Sequence, residues 1–267
     1  MQTECPRDFD AAPISWRECG AGAPVIFLHA MVTSRTGWGP QMLALSDTYR
    51  CIAWDMPGFG ASTPSEPDAG FDQVLAALTG FVTQTLGLAR AHFVGLSVGG
   101  MILQQLAARH PDLVQSITML DCSPRFGFGG DSDGAPFLAW VRTEMGAKGQ
   151  AAFSEAMIRA IVAPNTGEAV IQEAVAAMAR AKPAGLDLAA RLIAAHDALD
   201  VLPQIRCPAL AMAGAQDGET PPAYAREIAR LIPNGNLSVI PGAGHIANLE
   251  AADAVTARLR VFLQHGL

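Results

Sequence analysis

The segment FVGLSVGG (residues 93–100) places a single serine, Ser97, between glycines at the end of an apolar run. A simple tight turn would explain the same letters, because a G-x-S-x-G match occurs by chance in about one chain in ten of this length. The context is more informative, since the apolar run predicts a strand before the turn and residues 99–110 predict a helix that stops before Pro111. A serine on a sharp strand-to-helix turn, above a helix N-terminus, is placed for nucleophilic attack.

A serine hydroxyl is a poor nucleophile without a base, which is most often a histidine. Of the six histidines, His245 lies in the glycine-rich loop PGAGHIANLE after the last predicted strand. Loops that leave a rigid sheet often carry catalytic residues, so His245 is the predicted base; a turn histidine that faces water is the alternative. His29 ends an early strand, where we expect it to orient a loop, and it is also a candidate substrate contact.

The base in turn needs a carboxylate that holds its tautomer and stabilises the imidazolium. Asp217, in AGAQDGETPP after the preceding predicted strand, gives the chain order serine, aspartate, histidine. Its rival is Asp121, at the end of the strand in ITMLDCSP, and an aspartate that only begins a turn or a helix is the structural alternative. We favour Asp217 because its loop leads through Pro221 and Pro222 into a helix, which leaves the side chain near the histidine loop.

Attack on a carbonyl carbon creates an oxyanion, which backbone N–H groups can stabilise. Val98 supplies the N–H directly after the nucleophile, and the segment FLHAMVTS supplies a second one through Met31. These donors, together with the predicted nucleophile, base and acid, indicate acyl-transfer chemistry.

A sheet must bring these residues together, and the chain alternates short apolar runs with longer segments of helical spacing. Strands are predicted at residues 24–30, 49–55, 91–97, 114–121, 208–214 and 236–242, with an antiparallel edge strand at 13–19. The alternation predicts an α/β fold with a mostly parallel, doubly wound sheet. In such sheets ligands bind at the carboxyl ends of the strands.

The alternation stops in residues 124–199, an alanine-rich segment with helical patterns only. Because this segment follows the strand after the nucleophile helix, we predict a helical lid inserted there; an ordinary helical subdomain is the alternative. The core domain then comprises residues 1–123 and 200–267. The alanine, methionine and leucine of the lid predict a mostly apolar pocket that favours uncharged acyl groups or lactone rings.

Composition limits the class of protein and its partners. The 267 residues are 50% hydrophobic and 16% charged, as in globular proteins with a large core, and the net charge of −7 argues against a nucleic-acid partner. No apolar run of about 18 residues predicts a membrane span, and MQTECPRDFDAAP lacks the pattern of a signal peptide. The five widely spaced cysteines, including Cys5, favour free thiols in a reducing cytoplasm. Neither a metal-ligand spacing nor a dinucleotide-binding fingerprint after the first strand is found, so no metal or other cofactor is expected.

Five ordered motifs resemble the α/β-hydrolase family over nearly the whole chain. FLHAMVTSRTGW resembles its His-Gly oxyanion segment, WDMPGFGAS its Asp-x-Pro-Gly-x-Gly-x-Ser loop, VGLSVGG its nucleophile elbow, and GAQDGETPP and GAGHIANLE its acid and base loops. Ala30 stands where the family usually has glycine, although the backbone donor survives. The C-terminal third is similar to the 3-oxoadipate enol-lactonases, but His29–Ala30 differs from the Asn-Ser-type segment of that branch, and its Arg-Trp-Phe lid stretch is absent.

The resemblance implies a serine hydrolase that cleaves small carboxylic esters or lactones through an acyl-enzyme. Two alternatives share the same motifs: a carbon–carbon bond hydrolase or perhydrolase, and a ligand-binding protein with little turnover. An enol-lactone that carries a carboxylate would need a cation, for which Arg125 and Arg142 are candidates, although both could be solvated surface arginines. Trp140, in the same segment as Arg142, is a further candidate substrate contact.

Overall fold

The computed structural model describes residues 6–266, so Cys5 and the start of MQTECPRDFDAAP lie outside the described part of the chain. The described residues form one eight-stranded sheet in the order β1-β2-β4-β3-β5-β6-β7-β8. The strands are β1 (Arg7–Phe9), β2 (Trp16–Cys19), β3 (Ala23–Leu28), β4 (Tyr49–Trp54), β5 (Ala91–Leu96), β6 (Val114–Leu120), β7 (Ala209–Gly214) and β8 (Gly235–Ile240). Strands β3 to β8 are parallel, and β2 runs antiparallel to both of its neighbours. The prediction of a mostly parallel α/β sheet is therefore confirmed.

The central strands are continuous apolar runs because both of their faces are covered. In β5, which lies between β3 and β6, all six residues are buried. The six parallel strands occur where they were predicted, with ends shifted by at most two residues. The predicted edge strand at 13–19 shortens to β2, and β1 was missed because three exposed residues carry no hydrophobic pattern.

Helices flank the sheet and occupy the segments between the strands. They are α1 (Gly39–Leu45), α2 (Phe71–Gly80), α3 (Val98–Arg109), α4 (Ala135–Ile161), α5 (Glu168–Met178), α6 (Pro183–Ala194), α7 (Pro222–Leu231), α8 (Ala247–Glu250) and α9 (Ala252–His265). Helix α3 packs on β5 and β6, α7 packs on β7 and β8, and α1 packs against α9. Within residues 6–266, no helix combines the length and the apolar character needed to cross a membrane.

Helices α4, α5 and α6 lie in the segment predicted to be a lid, between β6 and β7. Helix α4 is interrupted at Gly149 (φ 74°) and packs against both α5 and α6. The start of α6 meets the loop after β4 backbone to backbone, because a Cβ on Gly185 would lie 2.5 Å from the carbonyl oxygen of Gly58. Glycine at both positions thus permits the helical segment to rest on that loop.

The cysteines of the described chain are free thiols. Cys19, Cys51 and Cys122 are buried, and Cys207 is half-buried. Cys51 lies in β4 opposite Cys19 of β2, whereas Cys207 precedes β7 and is only partly covered.

Candidate active site

Ser97 lies on the turn between β5 and α3 in a backbone conformation that residues other than glycine rarely adopt (φ 53°, ψ −118°). Strand and helix cross so closely that a Cβ on Gly95 would lie 2.5 Å from the carbonyl carbon of Gly99. A Cβ on Gly99 would lie 2.4 Å from the carbonyl oxygen of Leu28 in β3. The Ser97 N–H donates to the Leu120 carbonyl at 2.9 Å, which ties the turn to β6. The glycines permit the sharp turn, and the sheet holds it in place.

His245 stands between Ser97 and Asp217. Its Nε2 lies 3.0 Å from the Ser97 Oγ, and its Nδ1 lies 3.0 Å from the Asp217 Oδ2. With the ring proton on Nδ1, the imidazole donates to the carboxylate and accepts the serine hydroxyl proton at Nε2. The exposed fractions of Ser97, Asp217 and His245 are only 6, 3 and 6%. The structure therefore brings the predicted nucleophile, base and acid together in the order that proton transfer requires.

Hydrogen bonds within its own loop hold Asp217 in place. Its Oδ1 accepts the N–H groups of Glu219 at 2.8 Å and of Thr220 at 2.9 Å, and its Oδ2 accepts the Thr220 hydroxyl at 2.6 Å. The Thr220 Oγ1 also lies 3.2 Å from the His245 Nδ1. Thr220 was not predicted from the sequence, although Asp-x-x-Thr is the kind of spacing at which an aspartate bonds to its own loop.

The carboxylates around His245 favour its charged form. Burial by itself lowers the pKa of the imidazole, but Asp217, followed by Asp121 and Glu219, raises that pKa above its ordinary value. Burial acts to raise the pKa of Asp217, yet attraction to His245 and hydrogen bonds from His245 and Thr220 bring it below its usual range. An ionised Asp217 stabilises the imidazolium that forms when the serine loses its proton.

Asp121, the rival acid, lies fully buried behind these residues. Its Oδ1 accepts the Gly214 N–H at 2.8 Å, and its Oδ2 accepts the Ala247 N–H at 3.0 Å. Burial, with the nearby Asp217 as the second cause, raises the pKa of Asp121 to about 8. Because Gly214 ends the strand before the Asp217 loop and Ala247 follows His245, the Asp121 side chain braces both loops. The His245 ring contacts Asp217, and Asp121 bonds only to backbone N–H groups among the described residues.

One predicted oxyanion donor directly follows the nucleophile in the chain, and the other belongs to a residue that lines the same cavity. Val98 is the first residue of α3, so its N–H is among the first-turn donors that have no acceptor within the helix. Met31 lines the same cavity as Ser97. The role of these N–H groups in binding an oxyanion stays a prediction.

His29 lies away from the cavity and is only 1% exposed. Its Nε2 accepts the Met56 N–H at 2.9 Å, and its Nδ1 donates to the Ala30 carbonyl at 2.8 Å. The ring packs against Phe59 with 4.5 Å between the ring centroids. Both ring nitrogens are therefore occupied by backbone groups, and His29 ties the loop after β3 to the loop after β4. This arrangement agrees with the loop-orienting role and corrects the prediction of a substrate contact.

A mostly apolar cavity of about 300 Å³, the nucleophile cavity, opens over Ser97 and His245. It is lined by Met31, Val32, Ser97, Met101, Ser123, Phe126, Gly127, Phe137, Met157, Ile161, Ile193, Glu219, Thr220, Tyr224 and His245. Helix α4 also helps to position the His245 loop, because the carbonyl of Ile161, the last residue of α4, accepts the His245 N–H at 3.0 Å. In the described part of the chain, no three His, Cys, Asp or Glu side chains are grouped so as to hold a metal ion.

A second cavity of about 240 Å³, the lid cavity, adjoins the first one. It is lined by Phe137, Trp140, Glu144, Lys148, Phe153, Ala156, Met157, Ala160, Ile161 and Glu219. The two cavities share Phe137, Met157, Ile161 and Glu219. Trp140, a predicted substrate contact, thus lines the lid cavity, where its side chain remains 46% exposed.

Neither predicted arginine lines the two cavities. The Arg142 guanidinium pairs with Asp187, with Nε 2.6 Å from Oδ1, on the surface between α4 and α6. Arg125 forms a backbone bridge with Asp197, where the helical segment rejoins the core. The structure therefore agrees with the surface alternative for Arg142, whose guanidinium pairs with a carboxylate of the protein itself, and a role of Arg125 in substrate binding stays a prediction.

The profile of the alpha/beta hydrolase family matches residues 25–258. This chain therefore belongs to the α/β-hydrolase family. It is 30% identical over 262 residues to BpoC of Mycobacterium tuberculosis, which is provisionally named a non-heme bromoperoxidase; the match covers 93% of this chain and 97% of BpoC.

Solved structures of two enzymes share the whole architecture. A thermophilic esterase from Thermogutta terrifontis superposes with a TM-score of 0.87 at 27% identity, over 98% of both chains. The enol-lactonase from Burkholderia xenovorans gives a TM-score of 0.86 at 25% identity, over 97% of this chain and 100% of the other. The enol-lactonase similarity of the C-terminal third thus extends to the fold.

Proposed function

We propose that this protein is a serine hydrolase that cleaves small carboxylic esters or lactones through an acyl-enzyme. The observation that carries this proposal is the hydrogen-bonded line from Ser97 through His245 to Asp217 on the wall of an apolar cavity. The similarity to an esterase and to an enol-lactonase supports the choice of ester and lactone bonds.

In the first half of the reaction, the Ser97 Oγ attacks the carbonyl carbon while its proton passes to the His245 Nε2. The negative charge that develops on the carbonyl oxygen is stabilised by the N–H groups of Val98 and Met31. Asp217 stabilises the imidazolium through Nδ1. When the tetrahedral intermediate collapses, the bond to the leaving alcohol breaks, and the alkoxide takes the proton from Nε2.

In the second half, water replaces the alcohol beside His245. The Nε2 accepts a proton from water, and the hydroxide attacks the carbonyl carbon of the acyl-Ser97 ester. Collapse of this second intermediate breaks the bond to the Ser97 Oγ, which recovers its proton from the imidazolium. A lactone follows the same course, but its alcohol stays attached to the released acid.

The test is a panel of p-nitrophenyl esters of increasing acyl length together with five- and six-membered lactones, assayed with the wild-type protein and Ser97→Ala. We expect turnover of uncharged substrates by the wild type and stoichiometric labelling of Ser97 by a fluorophosphonate, measured by intact mass. Labelling of another residue would remove Ser97 from the mechanism. Neither turnover nor labelling would favour a ligand-binding protein on the same fold.

A second candidate is peracid formation, which the similarity to BpoC favours. In this reaction a carboxylic acid acylates Ser97 with loss of water, and hydrogen peroxide instead of water then attacks the acyl-enzyme, which releases a peracid. The measurement is peracid formed from acetate and hydrogen peroxide. Peracid formation by the wild type that is lost in Ser97→Ala would support this activity. If the wild type hydrolyses esters rapidly but forms no peracid, this second candidate is rejected.

A further inference from the structure

Glu219 occupies the junction between the nucleophile cavity and the lid cavity, because it lines both of them. Its backbone N–H donates to the Asp217 Oδ1 at 2.8 Å, so the acid loop holds its position. The other shared wall residues, Phe137, Met157 and Ile161, are apolar and belong to α4. A substrate that occupies both cavities therefore lies beside Glu219, which is the one ionisable residue that the two linings share.

The charge balance around this junction is negative. His245 also lines the nucleophile cavity, but any positive charge on its ring is balanced by the paired Asp217. The other charged side chains that line the cavities are Glu144 and Lys148, and these neutralise each other through an ion pair of 2.5 Å between Oε2 and Nζ. No ion pair to Glu219 occurs within residues 6–266. The Arg142 guanidinium, which could have balanced this charge, pairs with Asp187 outside the cavities.

The remaining surface of the lid cavity suits flat, uncharged groups. The Trp140 ring lies between Phe137 and Phe153, with centroid distances of 6.2 and 6.0 Å. Aromatic side chains bury apolar groups against a large apolar surface. Their faces also carry partial negative charge, which attracts cations and disfavours anions. The aromatic wall and the Glu219 carboxylate thus both favour neutral or cationic groups over anionic ones.

We propose that Glu219 is a specificity-determining residue that selects substrates by charge: the two cavities accept neutral esters, tolerate a cation and reject carboxylates. This inference rests on the proposed function and narrows it to esters whose acid and alcohol parts both lack a negative charge. Glu219 is an exposed residue, so water screens part of its charge, but an unpaired carboxylate at the cavity junction still repels an anion held within a few ångströms of it. It also distinguishes this protein from an enzyme that binds a carboxylate-bearing lactone.

The experiment compares kcat/KM for three p-nitrophenyl esters of similar length: the neutral butyrate, the anionic hemisuccinate and the cationic 4-(trimethylammonio)butyrate. In the wild type, we expect the hemisuccinate to be the poorest substrate. Glu219→Gln should raise the ratio of kcat/KM for the hemisuccinate to kcat/KM for the butyrate about tenfold, and it should lower the corresponding ratio for the cationic ester. Glu219→Lys should reverse the order of the anionic and cationic esters, and high salt should weaken these differences.

Glu173→Gln is the matched control, because it removes one exposed carboxylate from α5 without touching either cavity. It should leave all three rates unchanged. If Glu219→Gln changes all three rates by the same factor, Glu219 acts only through the acid loop and charge selection is wrong. An unchanged ratio of hemisuccinate to butyrate would also overturn the proposal.

A binding measurement separates this proposal from the proposed hydrolysis. Calorimetric titration with phenylacetamide and with phenylacetate compares a neutral and an anionic ligand without any turnover. We expect the wild type to bind the amide more tightly and Glu219→Gln to reduce that preference. Ester turnover with no such preference would reject the charge selection alone, whereas the preference without ester turnover would reject the hydrolase function alone.

Discussion

The active site has a sheet side, which is held by hydrogen bonds, and an opposite side formed by α4, which is held mainly by apolar packing. On the sheet side, Asp217 accepts hydrogen bonds from its own loop, and Asp121 braces the acid and base loops through their backbone N–H groups. On the side of helices α4 to α6, the segment predicted to be a lid, most of the cavity wall consists of apolar side chains such as Phe137 and Met157, which pack against the hydrophobic core.

The difference reflects what each side must do. Proton transfer from a serine to a histidine needs donor and acceptor atoms within hydrogen-bond reach, so the sheet side is fixed by several directional bonds. Apolar walls exclude water and accept a range of shapes, so no single contact in them is decisive. Substitutions of the hydrogen-bonded groups on the sheet side should therefore lower kcat, whereas substitutions of the cavity walls, including Glu219 at the junction, should change substrate choice.

The sharpest test of the sheet side is Ser97→Ala. Loss of the nucleophile should lower kcat by about 10⁶-fold, since members of such a triad act as a unit. His245→Ala should fall to a similar residual rate, measured with the p-nitrophenyl ester that the wild type prefers. A much smaller loss for His245→Ala than for Ser97→Ala would show that another group serves as base.

The next largest effect is expected for the acid. Asp217→Asn should lower kcat by about 10⁴-fold, because an amide cannot hold the tautomer with the proton on Nδ1 or stabilise the imidazolium. Asp121→Asn is the matched comparison: it disturbs one backbone hydrogen bond and should cost about 1–3 kcal/mol of unfolding free energy with a far smaller loss of kcat. The reverse ranking of the two variants would assign the acid role to Asp121.

Glu250 joins the two sides, and Glu250→Gln tests that connection. Its Oε2 accepts the N–H groups of Ala163 at 2.7 Å and of Gly244 at 3.0 Å, and its Oε1 accepts the Ile246 N–H at 3.1 Å. A glutamine must turn its NH₂ group toward backbone donors, so we expect a loss of about 1.5–3 kcal/mol in unfolding free energy and a lower kcat. Denaturant unfolding checks the first effect. An unchanged midpoint and rate would show that base loop and lid are positioned independently.

A smaller effect is expected in the pH profile. The base must be neutral, and the carboxylates of Asp217, Asp121 and Glu219 raise the pKa of His245 above its ordinary value of 6.5. The neutral fraction grows as the pH rises through this pKa, so kcat/KM for a neutral ester should rise with a midpoint above pH 6.5. Glu219→Gln removes one negative charge and should move the midpoint to lower pH by a fraction of a unit. A shift to higher pH would contradict the electrostatic role of Glu219.

The smallest effect is expected for Arg142→Met on the outside of the lid. Because the guanidinium is exposed and already paired with Asp187, its loss should change kcat/KM for neutral and anionic esters by less than about twofold. The kcat/KM values for the p-nitrophenyl butyrate and hemisuccinate, measured as in the Glu219 experiment, check this expectation. A selective loss on the hemisuccinate would restore the carboxylate clamp considered from the sequence.

The sequence was sufficient to predict the six parallel strands of the sheet, the segment of helices after β6 and the grouping of Ser97, Asp217 and His245. Each of these has a local signal: a buried parallel strand is an apolar run, and an elbow needs glycines on both sides of its serine. The substrate-facing residues were predicted less well, because the sequence around an arginine does not show which carboxylate the arginine will pair with. Arg142 pairs with Asp187, which is 45 residues away in the chain.

The sequence alone determined which catalytic groups are present and which strand ends carry them. It could do so because the hydrophobic period and the glycine spacing are patterns among neighbouring residues. What only the tertiary structure decided is how the charges are distributed between distant segments. Arg142 of α4 pairs with Asp187 of α6 outside the cavities, and Glu219 of the acid loop lies at the junction of both cavities without an ion pair among the described residues. The physical reason is that ion pairing depends on distance in space, which a pattern in one chain does not encode.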